Sequence, residues 1–562
     1  MKKEVEKLLQ YVQKPARYIG GELNAVVKDK DKVDIRYAFC FPDTYEIGMS
    51  HLGMKILYGL VNDREDSWCE RVFAPDNDME EQLRKNNVPL FALESGDYIK
   101  DFDMIGFTLQ YELSYTNVLN MLNLAQIPLK SSDRENLTPL ICVGGPCACN
   151  PEPITDFVDI VFLGDGEETT NQVIDLLIDC KKKGLSKKEF LLKAKDITGI
   201  YVPSFYEDSY NEDGTLKELK PLYGAPEKVK KAVVSDMNKV FYPKEFVVPY
   251  INIVHDRAVE EIFRGCIRGC RFCQAGFIYR PIREKSVETI NKQSKALIDS
   301  TGYDELSLCS LSTSDHSEVN NMLTTLIDWT VKENINLSLP SLRVDNFSDE
   351  LVEQLNKVRR SGLTFAPEAG TQRLRDVINK NVTQEEVIRT CTKAFDNGWT
   401  SVKLYFMMIS RELQISVWTL FMLFIITLTG KKGRVCRCQF RVHRLSLSRS
   451  RRFNGNLRIV WSRSKLSKSI CLNQYQQKKS GFHITKLRPH FLKVFLPVVT
   501  DVSERLYFVR MNLAVNLILG TTNLILTLGC RLLKKTELTP IFTLTENVNF
   551  QNFYLGIILI TV

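Results

Sequence analysis

The stretch Arg264-Gly-Cys266-Ile-Arg-Gly-Cys270-Arg-Phe-Cys273-Gln-Ala-Gly sets three cysteines on one short segment, with three residues and then two between them. The apolar run before it, Val259–Phe263, reads as a strand, so the thiols sit on the loop at its carboxyl end. Three thiolates this close together can hold three corners of a [4Fe–4S] cluster and leave the fourth iron open to another ligand. Glycines 265 and 269 let the backbone wrap tightly there. The alternatives are a structural zinc site and three buried thiols. Structural zinc takes four ligands, usually as two pairs. No local Cys or His supplies a second pair, and His255 lies on the far side of the strand. The residues favour the cluster.

Downstream, apolar runs and amphipathic stretches alternate. Candidate strands are Val259–Phe263, Glu305–Cys309, Asn336–Leu339, Gly362–Phe365 and Ser401–Met407. Helical stretches at Ser286–Ser300, Glu318–Lys332, Ser348–Arg360 and Thr383–Asn397 lie between them. Repeats of this kind predict most of a parallel barrel, with its site at the strand carboxyl ends. Just past the cysteines, Arg280 and Arg283 have the chemistry to grip a carboxylate or phosphate, or to form a surface cluster.

With its aromatic Phe272 before the last cysteine, the triplet resembles the radical S-adenosylmethionine (SAM) superfamily. There the open iron chelates the amino and carboxylate groups of SAM, and reductive cleavage yields a 5′-deoxyadenosyl radical. The resemblance extends to three later strand ends, Ser310-Leu-Ser-Thr-Ser-Asp315, Leu339-Pro-Ser-Leu-Arg343 and Ala366-Pro-Glu368-Ala-Gly370. It implies a SAM site drawn from Phe272, Ser312, Asp315, Arg343, Glu368 and Gly370. It also implies a reductant partner of the flavodoxin or ferredoxin type. On their own residues, Asp315 reads equally as a helix cap and Arg343 as a surface charge.

Ahead of the barrel, residues 33–180 predict a doubly wound parallel sheet, with strands at 33–41, 103–109, 139–145 and 160–167. This part resembles the cobalamin (B12)-binding-like domain that precedes many radical SAM barrels. The resemblance rests on Phe41-Pro-Asp-Thr-Tyr-Glu-Ile-Gly-Met-Ser-His51-Leu-Gly53, on Val143-Gly-Gly145-Pro146, and on Phe162-Leu-Gly164-Asp-Gly166-Glu167. It implies a cobalamin-like site at His51, Gly53, Gly144, Gly145, Gly164 and Gly166, with cobalamin as a third cofactor. The D-x-H-x-x-G cobalt-ligand signature is absent, and His51 alone reads as a cap or a packed residue. The whole arrangement is similar to an uncharacterised bacterial family of B12-binding-domain radical SAM proteins. The expected organisation is a first domain over 1–190, a connector over 191–250, a radical SAM core over 251–408 and a tail over 409–562.

Composition bounds the rest. The 562 residues are 44% hydrophobic and 25% charged, which excludes a collagen, a small disulfide scaffold and a wholly disordered chain. The first residues mix both charge signs without an apolar leader, and the fifteen cysteines are scattered, so the expected compartment is a reducing cytoplasm. The net charge of +8 describes neither part of the chain. Residues 409–562 hold 24 basic and five acidic side chains (+19), whereas residues 1–408 hold 51 and 62 (−11).

The break predicts a shifted reading frame after Met408. In the resembling family the fifth strand, here Ser401–Met408, runs into Gly-Leu-Pro, an acidic helix and a sixth strand; here Ile409-Ser-Arg-Glu-Leu-Gln follows. Joining the third base of each codon to the first two of the next permits Leu-Pro from Ile409. The same offset permits a Val/Ser alternation near Val435–Val442 and Pro-Trp-Asp-His-Ile-Asp-Tyr-Gly from Tyr554–Val562. On this reading the tail is irregular, the sixth strand is missing and turnover is weak. The rival is a membrane-tethered zinc or iron–sulfur protein without catalysis, anchored by the apolar runs Ile415–Leu428 and Leu513–Leu533.

Overall fold

The computed structural model describes residues 2–340, 342–345, 350, 352, 363–399 and 401–407, with the backbone of 437–443 and 557–561. It divides into two units, 1–361 and 362–562.

The first unit begins with a six-stranded sheet. Its strands are β1 (Ile35–Phe41), β2 (Ser67–Phe73), β3 (Met104–Thr108), β4 (Leu140–Gly144), β5 (Ile160–Phe162) and β6 (Ile200–Tyr201). Their order is β2-β1-β3-β4-β5-β6, parallel throughout except for the antiparallel edge β6. Alternate residues of one strand enter opposite cores: Ala38 and Cys40 join one apolar cluster, Tyr37 and Phe39 the other. Both faces are therefore covered, as near-continuous apolar strands require. The first sheet runs past the expected boundary at 190 to Tyr201, because Ile200 and Tyr201 close its edge.

β2 was not legible in the sequence, because Cys69-Glu-Arg71 interrupts its apolar run. The structure keeps these charges inside by pairing them. Arg71 bonds Glu22 at 2.7 Å and Glu94 at 2.6 Å, and Arg36 bonds Glu70 at 2.5 Å. The expected connector contains an exposed hairpin, β7 (Tyr206–Tyr210) and β8 (Leu216–Pro221).

A three-stranded parallel sheet follows, with β9 (Ala258–Glu261), β12 (Glu305–Cys309) and β13 (Asn336–Ser338) in the order β13-β12-β9. Helices Val287–Thr301 and Val319–Thr330 separate its strands. Ser286 caps the first through the amide of Thr289, and Gly302, at φ +70°, ends it. The strand expected at 259–263 breaks at Ile262 and resumes as β10 (Phe263–Arg264), which pairs antiparallel with β11 (Arg283–Glu284).

The second unit holds β14 (Leu363–Glu368), β15 (Ser401–Met407), β16 (Arg437–His443) and β17 (Ile557–Thr561). The first three are parallel and β17 is antiparallel. Helix Gln384–Asp396 lies between β14 and β15 in sequence and starts at a Thr383/Glu386 capping box.

This corrects one expectation, since a strand parallel to β15 does follow it. Arg-Cys-Gln-Phe-Arg-Val-His alternates polar and apolar residues, and that period of two is enough to propagate a ladder whatever its charge. The helix expected at Ser348–Arg360 and the apolar runs Ile415–Leu428 and Leu513–Leu533 lie outside the described residues, apart from 350 and 352. Among the described residues no helix is long and apolar enough to cross a membrane.

Candidate functional site

The cysteine loop leaves β10 and returns through β11, so a two-residue antiparallel ladder closes its base. Gly265, at φ +98°, lies so near the returning chain that a methyl there would sit 2.6 Å from the Pro281 carbonyl oxygen. No other residue fits this position. Gly269 is also left-handed, at φ +68°, and the Cys273 amide donates to the Cys270 carbonyl at 3.1 Å. Cys270 is buried and Cys266 and Cys273 are partly exposed, while Ile267 and Phe277 stand out into solvent.

Among the described residues no three Cys, His, Asp or Glu side chains are drawn together at metal-binding distance, so the loop carries its thiols without converging them. The donor set still fits an iron–sulfur cluster. It offers three thiols on a segment without helix or strand from Gly265 to Cys273, and closed off behind by β10 and β11.

Arg268, in the middle of the triplet, ties the loop to the neighbouring strand ends. Its guanidinium grips Asp315, with Nε to Oδ2 at 2.8 Å, and reaches Asp345 at 3.1 Å. Asp345 in turn accepts from Arg343 at 2.8 Å. Burial works to raise the Asp315 carboxyl, but the hydrogen bonds and charge of Arg268, with Arg343 beyond, hold it below its ordinary value. Ser312 is buried beside this network, and its hydroxyl adds to the hold on the Asp315 carboxyl.

Four residues expected at the SAM site, Phe272, Ser312, Asp315 and Arg343, therefore lie on the cysteine loop or on the strand ends beside it. The sequence missed Arg268 and Asp345, although an arginine between two of three closely spaced thiols is itself a usable signal. Glu368 and Gly370 lie in the second unit. Glu368 is left-handed, at φ +66°, and the Ala369 amide turns back to Pro367 O at 2.8 Å. Burial raises the Glu368 carboxyl and Lys380, 3.6 Å away, opposes the rise. Fully buried Arg375 donates to the carbonyls of Ala369 (2.9 Å), Gly370 (3.0 Å) and Val382 (2.8 Å).

The six positions expected for cobalamin are occupied by protein. His51 caps helix Leu52–Asn62 by accepting from the Met54 amide at 3.1 Å and also bonds Gln110. Burial pushes its pKa down to about 4. A methyl on Gly53 would meet the His51 ring at 2.9 Å; on Gly144, Phe162 at 3.4 Å; on Gly145, Leu109 O at 2.9 Å; on Gly166, Leu57 at 3.4 Å. Gly164, at φ +102°, would place one 2.1 Å from Ala232 O. At Gly145 and Gly164, both at positive φ, the neighbouring backbone leaves no room for a side chain, whereas at Gly144 and Gly166 a methyl would make ordinary contact. The topological switch of the first sheet lies between β1 and β3, where a ligand of such a sheet belongs. Asp43 and Tyr111 meet there at 2.6 Å, and Leu113 is 82% exposed.

Together these features define an α/β protein in which a doubly wound sheet precedes a thiol-bearing loop on a parallel strand end. Residues 53–203 match the family described as radical SAM proteins, N-terminal, and residues 261–418 match the radical SAM superfamily. The chain carries the N-terminal and the radical SAM domain of these proteins, and is by class a radical SAM enzyme.

An uncharacterized protein of Methanocaldococcus jannaschii is 27% identical over 380 residues, covering 66% of this chain and 68% of its own length. A second protein of that organism, provisionally named a methylthiotransferase, is 26% identical, with 47% of this chain and 52% of the relative covered. Among solved structures, the radical SAM methyltransferase TsrM from Kitasatospora setae, with tryptophan and a SAM analogue bound, aligns at TM-score 0.48 and 10% identity, over 70% of this chain and 71% of its own. The cobalamin-dependent SAM radical enzyme OxsB, with aqua-cobalamin and SAM bound, aligns at 0.46 and 14%, over 69% and 51%.

Proposed function

We propose that the chain cleaves SAM reductively at a [4Fe–4S] cluster held by Cys266, Cys270 and Cys273, and that methyl transfer is the reaction it serves. The observation that carries this reading is the closed thiol loop, tied by Arg268 to Asp315 and Asp345 at the adjoining strand ends. When bound, the cluster supplies an open iron for the SAM amino acid group and the electron for its cleavage. The protein supplies the rest. Arg268 and Arg343 fix the acids that line the strand ends, and Ser312 offers a buried hydroxyl beside them. Asp315, held ionised by Arg268, keeps one acceptor set facing the loop at neutral pH.

The methylthiotransferase-named relative supports the methyl assignment. A cobalamin at the first sheet would be held at the crevice between β1 and β3 by Asp43, Gln110 and Tyr111 rather than by His51 and the glycines. The electron donor we propose is a flavodoxin or ferredoxin, and the compartment the cytoplasm. The test is anaerobic incubation of the reconstituted protein with SAM and dithionite. Release of 5′-deoxyadenosine by the native chain, abolished in Cys270→Ser, is the expected result; equal release from both overturns the reading.

The charge break after Met408 supports a further part of the proposal, a shifted reading frame that lowers turnover. Sequencing the gene and weighing the intact protein decide this. A continuous frame together with a mass matching all 562 residues contradicts the shift.

A further inference from the structure

Phe162-Leu-Gly-Asp-Gly-Glu167 reads in the sequence as a ligand-binding turn, but its carboxylates do something else. Arg264, the residue before Gly265-Cys266, bonds Glu261 at the end of β9 at 2.9 Å and Glu167 through both terminal nitrogens, one at 3.2 Å. The same guanidinium lies 3.3 Å from Asp165. Asp165 in turn pairs with Arg283, on the strand that closes the cysteine loop from the other side. The Asp165 amide donates to Ala232 O at 3.0 Å and its carboxylate accepts from the Val234 amide at 2.8 Å. Lys231, beside that segment, donates to Ile278 O at 2.6 Å and to Arg280 O, inside the returning arm of the loop. The charged side chains are close to dry, with Glu167 5% exposed and Arg264 and Asp165 12% each. Two acids of the first domain thus hold both arginines at the neck of the loop.

We infer that Asp165 and Glu167 are a latch through which the first domain sets the position of the Cys266–Cys273 loop, with Arg264 and Arg283 as positioning residues. The inference takes from the proposed function only the identity of that loop. A latch of this kind explains why the turn carries two acids next to its glycines. Gly164 admits the Ala232 backbone, and the acids then face the arginines.

Hydrogen exchange on the full chain tests it. In Asp165→Asn/Glu167→Gln, amides of residues 265–273 should exchange about tenfold faster while those of β1, β3 and β4 stay protected. Arg264→Lys, which keeps the charge and loses the fork, should show a smaller rise in the same segment. Asp34→Asn, whose pair with Lys182 lies at the surface, should change nothing there. Unchanged exchange in the loop of the double variant overturns the latch. So does a rise spread evenly over the first sheet, since the acids would then hold that sheet alone. On reconstituted protein the double variant should also alter the EPR signal of the reduced cluster at unchanged iron content. The exchange experiment needs no cluster, so a chain that loads no iron refutes the proposed function and leaves the latch to be judged separately.

Discussion

At His51 one ring nitrogen accepts from the Met54 amide and the other meets Gln110, and burial, against the pull of Gln110, holds the imidazole neutral, with its pKa down at about 4 against an ordinary 6.5. A histidine depressed on folding stabilises the fold above its unfolded pKa, and that contribution is lost as pH falls through the interval down to the folded value. The chain should therefore lose stability between pH 6.5 and 4. His51→Asn keeps a capping acceptor without the titration, so it should lose roughly 2 kcal/mol less over that interval in urea unfolding. An identical pH slope in both proteins contradicts the assignment. The sequence made His51 a candidate ligand by resemblance, and a cap by its place before an apolar helix. The cap is what the structure holds. Arg268 shows the opposite case: pattern reading fixed on the thiols around it, and its partners, 47 and 77 residues further on, meet it only through the fold.

Among the elements, the parallel strands were legible where apolar residues alternate with uncharged or single charged ones, as at Glu305–Cys309 and Ser401–Met407. β2 was hidden because its buried charges are satisfied by Glu22, Glu94 and Arg36, all distant in sequence. β6, only two residues long, gave no periodicity to detect. The turn after β14 depends on a different device. Glu368 adopts a backbone conformation costly for a residue with a side chain, and Arg375 holds the two carbonyls that follow it. Removing that guanidinium leaves three buried carbonyls without this donor, so Arg375→Ala should lower stability by about 3 kcal/mol. Arg375→Lys should recover only part of this, because one ammonium cannot span all three acceptors. Limited proteolysis at residues 366–372 reads the effect locally, and wild-type resistance in Arg375→Ala contradicts it.

For the whole molecule, the charge of +8 says little about partners, because it joins an acidic body to a basic stretch. The domain pair and the thiol loop say more, and both were readable from residue spacing. What spacing did not reveal is how the first domain is tied to the loop. Asp165 and Glu167 precede Arg264 by about a hundred residues, and only the folded chain brings them together. The strand Arg437–His443 adds a caution of the same kind, since charge composition marks a change of sequence character without ruling out a strand there. That Cys266, Cys270 and Cys273 are cluster ligands is tested by metal content after anaerobic reconstitution. The full chain should hold close to about four iron and four sulfide and lose most of both when any one of the three becomes serine. Binding of zinc in their place, or iron loading unchanged in the triple serine variant, would contradict it.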